Sequence, residues 1–407
     1  MENLVTVPEV IDIIENSTEV FGVESIDFRE AAGRILAEDI FADRDFPPFN
    51  RMSMDGIAIN YAAIEKGIKS FKIEGVQSAG KEQMTLSSSD NCIEAMTGAV
   101  LPKNADTVIQ YEWLDVKDGV ASLNLDAFEI ENLSKSKNVH AKGKDKSKGA
   151  VLISKGLKLS SADLGVLATV GKNNVLVQKN PTVMIVSTGD ELVEVNETPK
   201  DHQIRRSNVW TMFALLKENG IEPETAHIVD DKVILKEKIK HFLEIYDVLM
   251  FSGAVSKGKF DFLPEILEAL GVKKKFHRVQ QRPGKPFWFG KKDATTIFAF
   301  PGNPISTYVG CVKYFLPWYR KSLGLEENVI KMAVLAKDFS FKPNLHYFLT
   351  VSIAEDDLGT RFAYPEMGNG SGDLANLSKA DGFLELPTGK TDYYEGESFP
   401  VIMYRKD

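Results

Sequence analysis

The stretch FPGNPIS, residues 300–306, sets Pro301 and Pro304 around Gly302 and Asn303, between a strand-like run and a helix-like one. Asn303 can cap the helix, Pro304 suits its first position, and Gly302 permits a sharp turn or the close approach of a ligand. By itself the tetrapeptide is a stiff strand-to-helix turn whose free N–H groups would suit an anion. Other segments add to it. RPGKP (282–286) places Arg282 and Lys285 on a second proline-stiffened turn, and GAVSKGKFDF (253–262) holds Lys257, Lys259 and Asp261 among glycines. TGDEL (188–192) supplies Asp190 and Glu191, and Asp230 and Asp231 follow the run ETAHIV. Each has a structural explanation alone: Asp230 as a helix cap, the glycines as turns, the lysines as solvated surface. Together, cations, backbone donors and carboxylates suit a phosphorylated ligand with a hard divalent cation, because carboxylates and phosphates share Mg²⁺. The chain has neither a G-x-G-x-x-G nor a Walker A sequence, which argues against a dinucleotide or P-loop site.

What must position these residues is an alternation of strands and helices. From 181 to about 324, TVMIVS, ETAHIV, DVLMFS, KFHRVQ and TIFAF alternate with helix-like SNVWTMFALLKENG, KVILKEKIKHFLEIY and DFLPEILEALG. That order implies a mostly parallel sheet with helices on both faces, and ligands in such folds sit beyond the carboxyl ends of the strands. The opening TVPEVIDIIENSTEVFG carries a capping box from Thr6 to Glu9, with Pro8 in the first turn. Residues 46–139 are short β-rich runs broken by turns, SKSKNVHAKGKDKSKG (134–149) is a lysine-studded loop, and the tail from 327 is β-rich again.

Composition narrows the function. At 407 residues the chain exceeds one domain, and 43% hydrophobic with 26% charged residues is ordinary for a globular protein. Cys92 and Cys311 are too few for a disulfide framework or a zinc ribbon. No signal-peptide pattern and no bilayer-length apolar stretch is present, so a cytoplasmic protein is expected. A formal charge of −9 argues against nucleic acid as a partner. It also requires local cations if the substrate is an anion. One unit charge at ~4 Å contributes roughly 4 kcal/mol at an effective dielectric of ~20, so two or three well-placed cations outweigh a diffuse, screened net charge.

Eight segments, in order, resemble the molybdopterin molybdenumtransferase family, MoeA, which includes the E domain of gephyrin. They are AAGRILAEDI (31–40), FPPFNRMSMDGIAI (46–59), AMTGAVLPKNADTVIQYE (95–112), STGDEL (187–192), SGAVSKGKFDF (252–262), RPGKPFWFG (282–290), FPGNPIS (300–306) and NGSGDLANLSKADGFLELP (369–387). The resemblance implies four domains in a homodimer. These are a discontinuous linker and dimerisation domain (1–45 and 140–178), a β-rich lid (46–139), a three-layer α/β molybdopterin-binding domain (179–326) and a small C-terminal β-barrel (327–407). It implies a transferase that inserts molybdate into adenylylated molybdopterin and releases AMP with Mg²⁺. Molybdopterin adenylyltransferase and apo-molybdoenzymes are the implied partners.

By the same resemblance Asp55, Thr97, Asp145, Glu191, Asp231 and Asp261 match catalytic positions, with Glu191, Asp231 and Asp261 as the metal ligands. Arg278, Arg282, Lys285, Pro301, Pro304, Ser306 and Ser371 match substrate- or molybdate-side positions. The chain also departs from the pattern. Arg278 and Arg282 stand where lysines are common, Ala254 replaces a glycine, His140 stands where arginine is frequent, Lys257 is an added charge, and an arginine expected near Leu345 is absent. Alanine at 254 would be strained at any positive φ. Two rival readings are an adenylyltransferase, which would share the α/β domain alone, and a gephyrin-like scaffold without catalysis.

Overall fold

Three strands of the α/β domain, Val183–Thr188, Val248–Ser252 and Thr295–Phe300, are buried at every position, as expected of parallel strands covered on both faces. The computed structural model describes residues 4–124, 133–255, 261–325, 329–368, 370 and 372–405. In it Glu224–Ile228, Val183–Thr188, Val248–Ser252 and Thr295–Phe300 lie side by side and parallel. Pro286–Lys292 and Lys273–Arg278 continue the sheet through antiparallel pairings. Alternate side chains separate two cores. Ile185, Met250 and Phe298 pack toward the helices Asn208–Glu218 and Pro304–Gly310. Val186, Phe251 and Ala299 pack toward Lys232–Ile245 and Leu263–Ala269. The result is three layers around one sheet, whose carboxyl edge presents Thr188, Ser252 and Phe300 to the loops that follow.

The capping box forms: Thr6 N donates to Glu9 Oε2 at 2.8 Å, and the helix Val7–Glu15 buries Val7, Val10 and Ile14 in the first of these cores. Trp318 Nε1 donates to Ser17 O at 3.1 Å and secures the segment after it. Contacts along the chain separate two units: 1–25, 33–35 and 176–407 in one, and 26–32 with 36–175 in the other. Residues 1–45, grouped above with 140–178, therefore divide between both. The apolar face of the first helix finds its partner in the α/β core.

The tail closes into a five-stranded barrel. Its strands run in the order His346–Glu355, Arg361–Pro365, Met332–Leu335, Ser398–Met403 and Gly382–Leu386, and the last pairs with the first. The closed barrel expected of the tail leaves no free edge among these strands. A sixth short strand, Gln281–Arg282, pairs parallel with His346 and Tyr347 at the barrel's rim. The RPGKP turn is thereby tied to the barrel by backbone hydrogen bonds.

A buried ion cluster makes a second tie. The helix from Pro304 widens into a π-turn, Cys311–Phe315, which carries Lys313. Lys313 Nζ donates to both carboxylate oxygens of Glu385 at 2.7 and 2.8 Å, and His346 Nε2 lies 3.4 Å from the same group. The lysine and glutamate side chains are only 16% and 10% exposed. Burial alone would raise the Glu385 carboxyl, but His346 and Lys313 together more than offset it and hold it below its ordinary value. Lys313→Met should therefore cost about 3–5 kcal/mol by stranding a buried carboxylate, and Lys313→Met/Glu385→Leu should recover most of it. Because the folded pKa is depressed, the stabilisation is present above the ordinary glutamate range and is lost as pH falls through the lowered value. Denaturant titration of both variants at neutral and acid pH measures this; equal destabilisation of both would remove the charge from the explanation.

The other unit centres on a six-stranded sheet in the order Thr107–Gln110, Gly56–Ile59, Asn91–Ala95, Ser70–Gln77, Val120–Leu123 and Leu114–Lys117. Gly56, at φ +155°, opens one strand where any Cβ would sit 1.8 Å from Ile109 O, so no other residue fits there. Among the described residues no helix is long and apolar enough to cross a membrane. Cys92 and Cys311 are both buried and unpaired.

Candidate functional site

A cavity of about 330 Å³ opens between the α/β loops and the barrel within one unit. Arg282, Lys285, Pro301 and Ser306 line it from the α/β side, and Leu345, Tyr347, Glu366 and Asn376 from the barrel side. The RPGKP turn is rigid for identifiable reasons. Gln281 is buried at 1% exposure, donates from Nε2 to Pro283 O at 3.0 Å and accepts from the buried Tyr314 hydroxyl. Gly284 turns at φ +82°, and a Cβ there would meet Gln281 Nε2 at 2.9 Å. The backbone of Lys285 is held because its carbonyl accepts from Val279 N at 3.0 Å. The Arg282 guanidinium lies 5.7 Å from the Phe341 ring, and Phe341 stacks on Tyr347 at 4.3 Å. Among the described residues neither Arg282 nor Lys285 has an ion-pair partner, so both positive charges are available to a ligand.

Of the seven substrate-side candidates, four therefore meet in one cavity. Pro304 opens the helix that carries Ser306 but does not itself line the cavity. Arg278 lies on Lys273–Arg278 and its carbonyl accepts from Val5 N at 3.0 Å, outside the lining. Ser371 lies outside the described residues, as do Lys257, Gly258 and Lys259. Leu345, where an arginine was expected, does line the cavity and contributes an apolar wall. Ala254 sits at φ +55°, the region in which an alanine standing in for glycine is strained.

The acidic residues gather at the carboxyl edge. Burial first, then Asp190, Glu191 and Asp261, raise the carboxyl of Asp230 above its ordinary value. Asp190 Oδ1 accepts from Asp230 N at 3.0 Å. Asp231 has a different task. Its Oδ1 accepts from Val233 N at 2.8 Å and Ile234 N at 3.0 Å, capping the helix Lys232–Ile245. Asp231, given by the resemblance as a metal ligand, thus caps the helix through Oδ1, while Asp230 is the aspartate whose carboxyl its acidic neighbours raise. Two adjacent aspartates before a helix could not be told apart without backbone geometry. Among the described residues no three His, Cys, Asp or Glu side chains converge as a closed ion site. That arrangement is compatible with Mg²⁺, which keeps several waters and takes one or two carboxylates together with phosphate oxygens.

Three polar groups at the same edge were not singled out from sequence. Asn208 Nδ2 donates to Ser252 Oγ at 2.8 Å and Gly302 O at 2.7 Å, joining two strand-end loops. Asn208 Oδ1, Thr188 Oγ1 and two donors of the buried Arg206 guanidinium have no hydrogen-bond partner among the described residues. Buried polar atoms are seldom left so. The signal in sequence was RRSN, directly before an amphipathic helix.

The remaining candidates belong to the other unit and form two pairs. Thr97 N donates to Asp55 Oδ1 at 2.6 Å, and this bond is the main reason the Asp55 carboxyl sits below its ordinary value. His140 Nε2 and Asp145 Oδ1 are 2.8 Å apart.

Comparison with known proteins agrees along the whole chain. The MoeA N-terminal region (domains I and II) matches residues 5–171, a probable molybdopterin binding domain matches 184–321, and the MoeA C-terminal region (domain IV) matches 332–404. A molybdopterin molybdenumtransferase of Synechocystis sp. is 38% identical over 405 residues, covering 98% of this chain and 100% of that protein. One from Staphylococcus epidermidis is 31% identical over 409 residues, covering 98% and 95%. A solved molybdopterin biosynthesis MoeA protein from Pyrococcus horikosii superposes with a TM-score of 0.84 at 30% identity, covering 100% of both chains.

Proposed function

Because the chain belongs to the MoeA family of molybdopterin molybdenumtransferases, we propose that it inserts molybdate into adenylylated molybdopterin and releases AMP in a Mg²⁺-dependent step. The observation that carries this reading is the cavity with two unpaired cations, Arg282 and Lys285, on a turn braced by Gln281. A tetrahedral dianion needs such fixed charge, and a volume of this order is typical of small-ligand sites. Arg282 and Lys285 hold the oxyanion, the loops at Thr188, Asn208 and Gly302 receive the organic part of the substrate, and Glu191, Asp230 and Asp261 form the acidic edge. Mg²⁺, held by that edge together with phosphate oxygens, would neutralise the phosphoanhydride as AMP leaves. Within the β-rich unit, Asp55 and Asp145 are the acidic residues proposed as catalytic, and the Thr97 N–H orients Asp55 through a 2.6 Å bond. Positioning and electrostatics then account for the chemistry, with no protein nucleophile.

We place the protein in the cytoplasm as a homodimer that receives substrate from a molybdopterin adenylyltransferase and passes product to apo-molybdoenzymes. The direct test incubates the purified chain with adenylylated molybdopterin, molybdate and Mg²⁺ and follows AMP by chromatography. AMP release that depends on both molybdate and Mg²⁺, with reconstitution of an apo-molybdoenzyme, is expected. AMP release indifferent to molybdate would overturn the assignment.

A further inference from the structure

A carboxylate is an unexpected lining for an oxyanion cavity, and Glu366 is one. It is held in place from three directions. Its backbone N donates to Thr350 O at 2.9 Å, Asn376 Nδ2 donates to its carbonyl at 3.2 Å, and Ser352 Oγ donates to Oε1 at 2.8 Å. Among the described residues Oε2 accepts no hydrogen bond, and no cation pairs with the group. Gly368, two residues on, is packed so closely that a Cβ would meet Asn376 Nδ2 at 2.8 Å, which fixes the path of the chain beside the cavity. Arg282 and Lys285 with Glu366 leave one net positive charge on the lining. A dianion would face repulsion from the carboxylate. A singly protonated oxyanion would balance the charge and give Glu366 a proton to accept in a short, charge-assisted O–H···O⁻ bond.

We propose that Glu366 makes this cavity selective for an oxyanion that takes up a proton on binding, and so admits molybdate while rejecting sulfate. This rests on the reading of the cavity as the molybdate site. Sulfate has the same tetrahedral shape and the same charge, so charge alone does not separate the two. The anions differ in basicity: molybdate is the conjugate base of the weaker acid and is protonated at lower cost. Each unit of that difference is worth a factor of about ten in affinity, wherever the bound form must carry the proton. Glu366 is the acceptor that a protonated oxyanion would meet in this set. Thr350, Ser352 and Asn376 face it from the barrel, Arg282 and Lys285 are cations across the cavity, and burial raises the Tyr347 phenol above its ordinary value. His346, next along the strand, lies toward Glu385.

The test is calorimetric titration of the full chain with sodium molybdate and with sodium sulfate, between about pH 6 and 8, for the parent, Glu366→Gln and Lys285→Met. The parent should bind molybdate at least about tenfold more tightly than sulfate, with affinity falling about tenfold per pH unit because one proton is taken up. Glu366→Gln, whose amide can donate to a fully ionised oxyanion, should lose most of the pH slope and tighten on sulfate about tenfold or more, with an unchanged melting temperature. A glutamine variant that keeps both the slope and the preference overturns the role of Glu366, provided Lys285→Met has lost molybdate. If Lys285→Met binds molybdate as the parent does, the cavity is not the oxyanion site and both readings fall together.

Discussion

Lys285→Met is expected to raise the molybdate concentration giving half-maximal AMP release by roughly ten- to a hundredfold. A hydrogen bond to a charged group contributes about 1.5–3 kcal/mol, and each 1.4 kcal/mol is a factor of ten. The effect should appear in molybdate dependence and far less in affinity for adenylylated molybdopterin, because Lys285 lines the cavity while the organic part is assigned to the loops at Thr188, Asn208 and Gly302. Methionine preserves most of the lysine stem, and the fold around it depends on main-chain bonds such as Val279 N to Lys285 O at 3.0 Å. The melting temperature should move little. A variant with the parent's molybdate dependence would remove Lys285 from the oxyanion site, whatever its effect on turnover.

The second large effect separates two neighbouring aspartates. Asp230→Asn and Glu191→Gln should each abolish most Mg²⁺-dependent AMP release while leaving substrate binding measurable, because each removes a hard oxygen ligand from the acidic edge. Asp231→Ala should keep that activity and lose about 1 kcal/mol of stability, the usual cost of an N-cap. Stability provides an independent reading. The folded pKa of Asp230 is raised by burial and by Asp190, Glu191 and Asp261. A raised carboxyl is best tolerated at low pH, and its stabilising protonated form is lost as pH rises through the folded value. Without metal, Asp230→Asn should therefore melt higher than the parent at neutral pH, with the gap closing as the pH drops below the ordinary carboxylate range. Adding Mg²⁺ should stabilise the parent and not the variant. If Asp231→Ala loses AMP release while Asp230→Asn keeps it, the division of roles inferred from helix capping is wrong.

Local chemistry was legible in the sequence wherever one segment decided the outcome. The capping box at Thr6 and Glu9 and the strand-to-helix turn at 301–304 each depend on a few adjacent residues, and both formed as read. The α/β layering was legible too, because strands such as Val183–Thr188 and Val248–Ser252 have no polar face and can only lie inside a covered sheet. Convergence was not legible. That Glu366 shares a cavity with Arg282 and Lys285 follows from Gln281–Arg282 pairing with the rim of a barrel formed more than sixty residues later. Sequence spacing carries no record of such a long-range pairing. Nor does it record that Asp231 turns into the helix while Asp230 turns toward Glu191, since both are aspartates one position apart and only the backbone direction at the helix start distinguishes them. Side-chain type determined what each residue could do here; the closure of the barrel against the sheet edge decided which of them do it together.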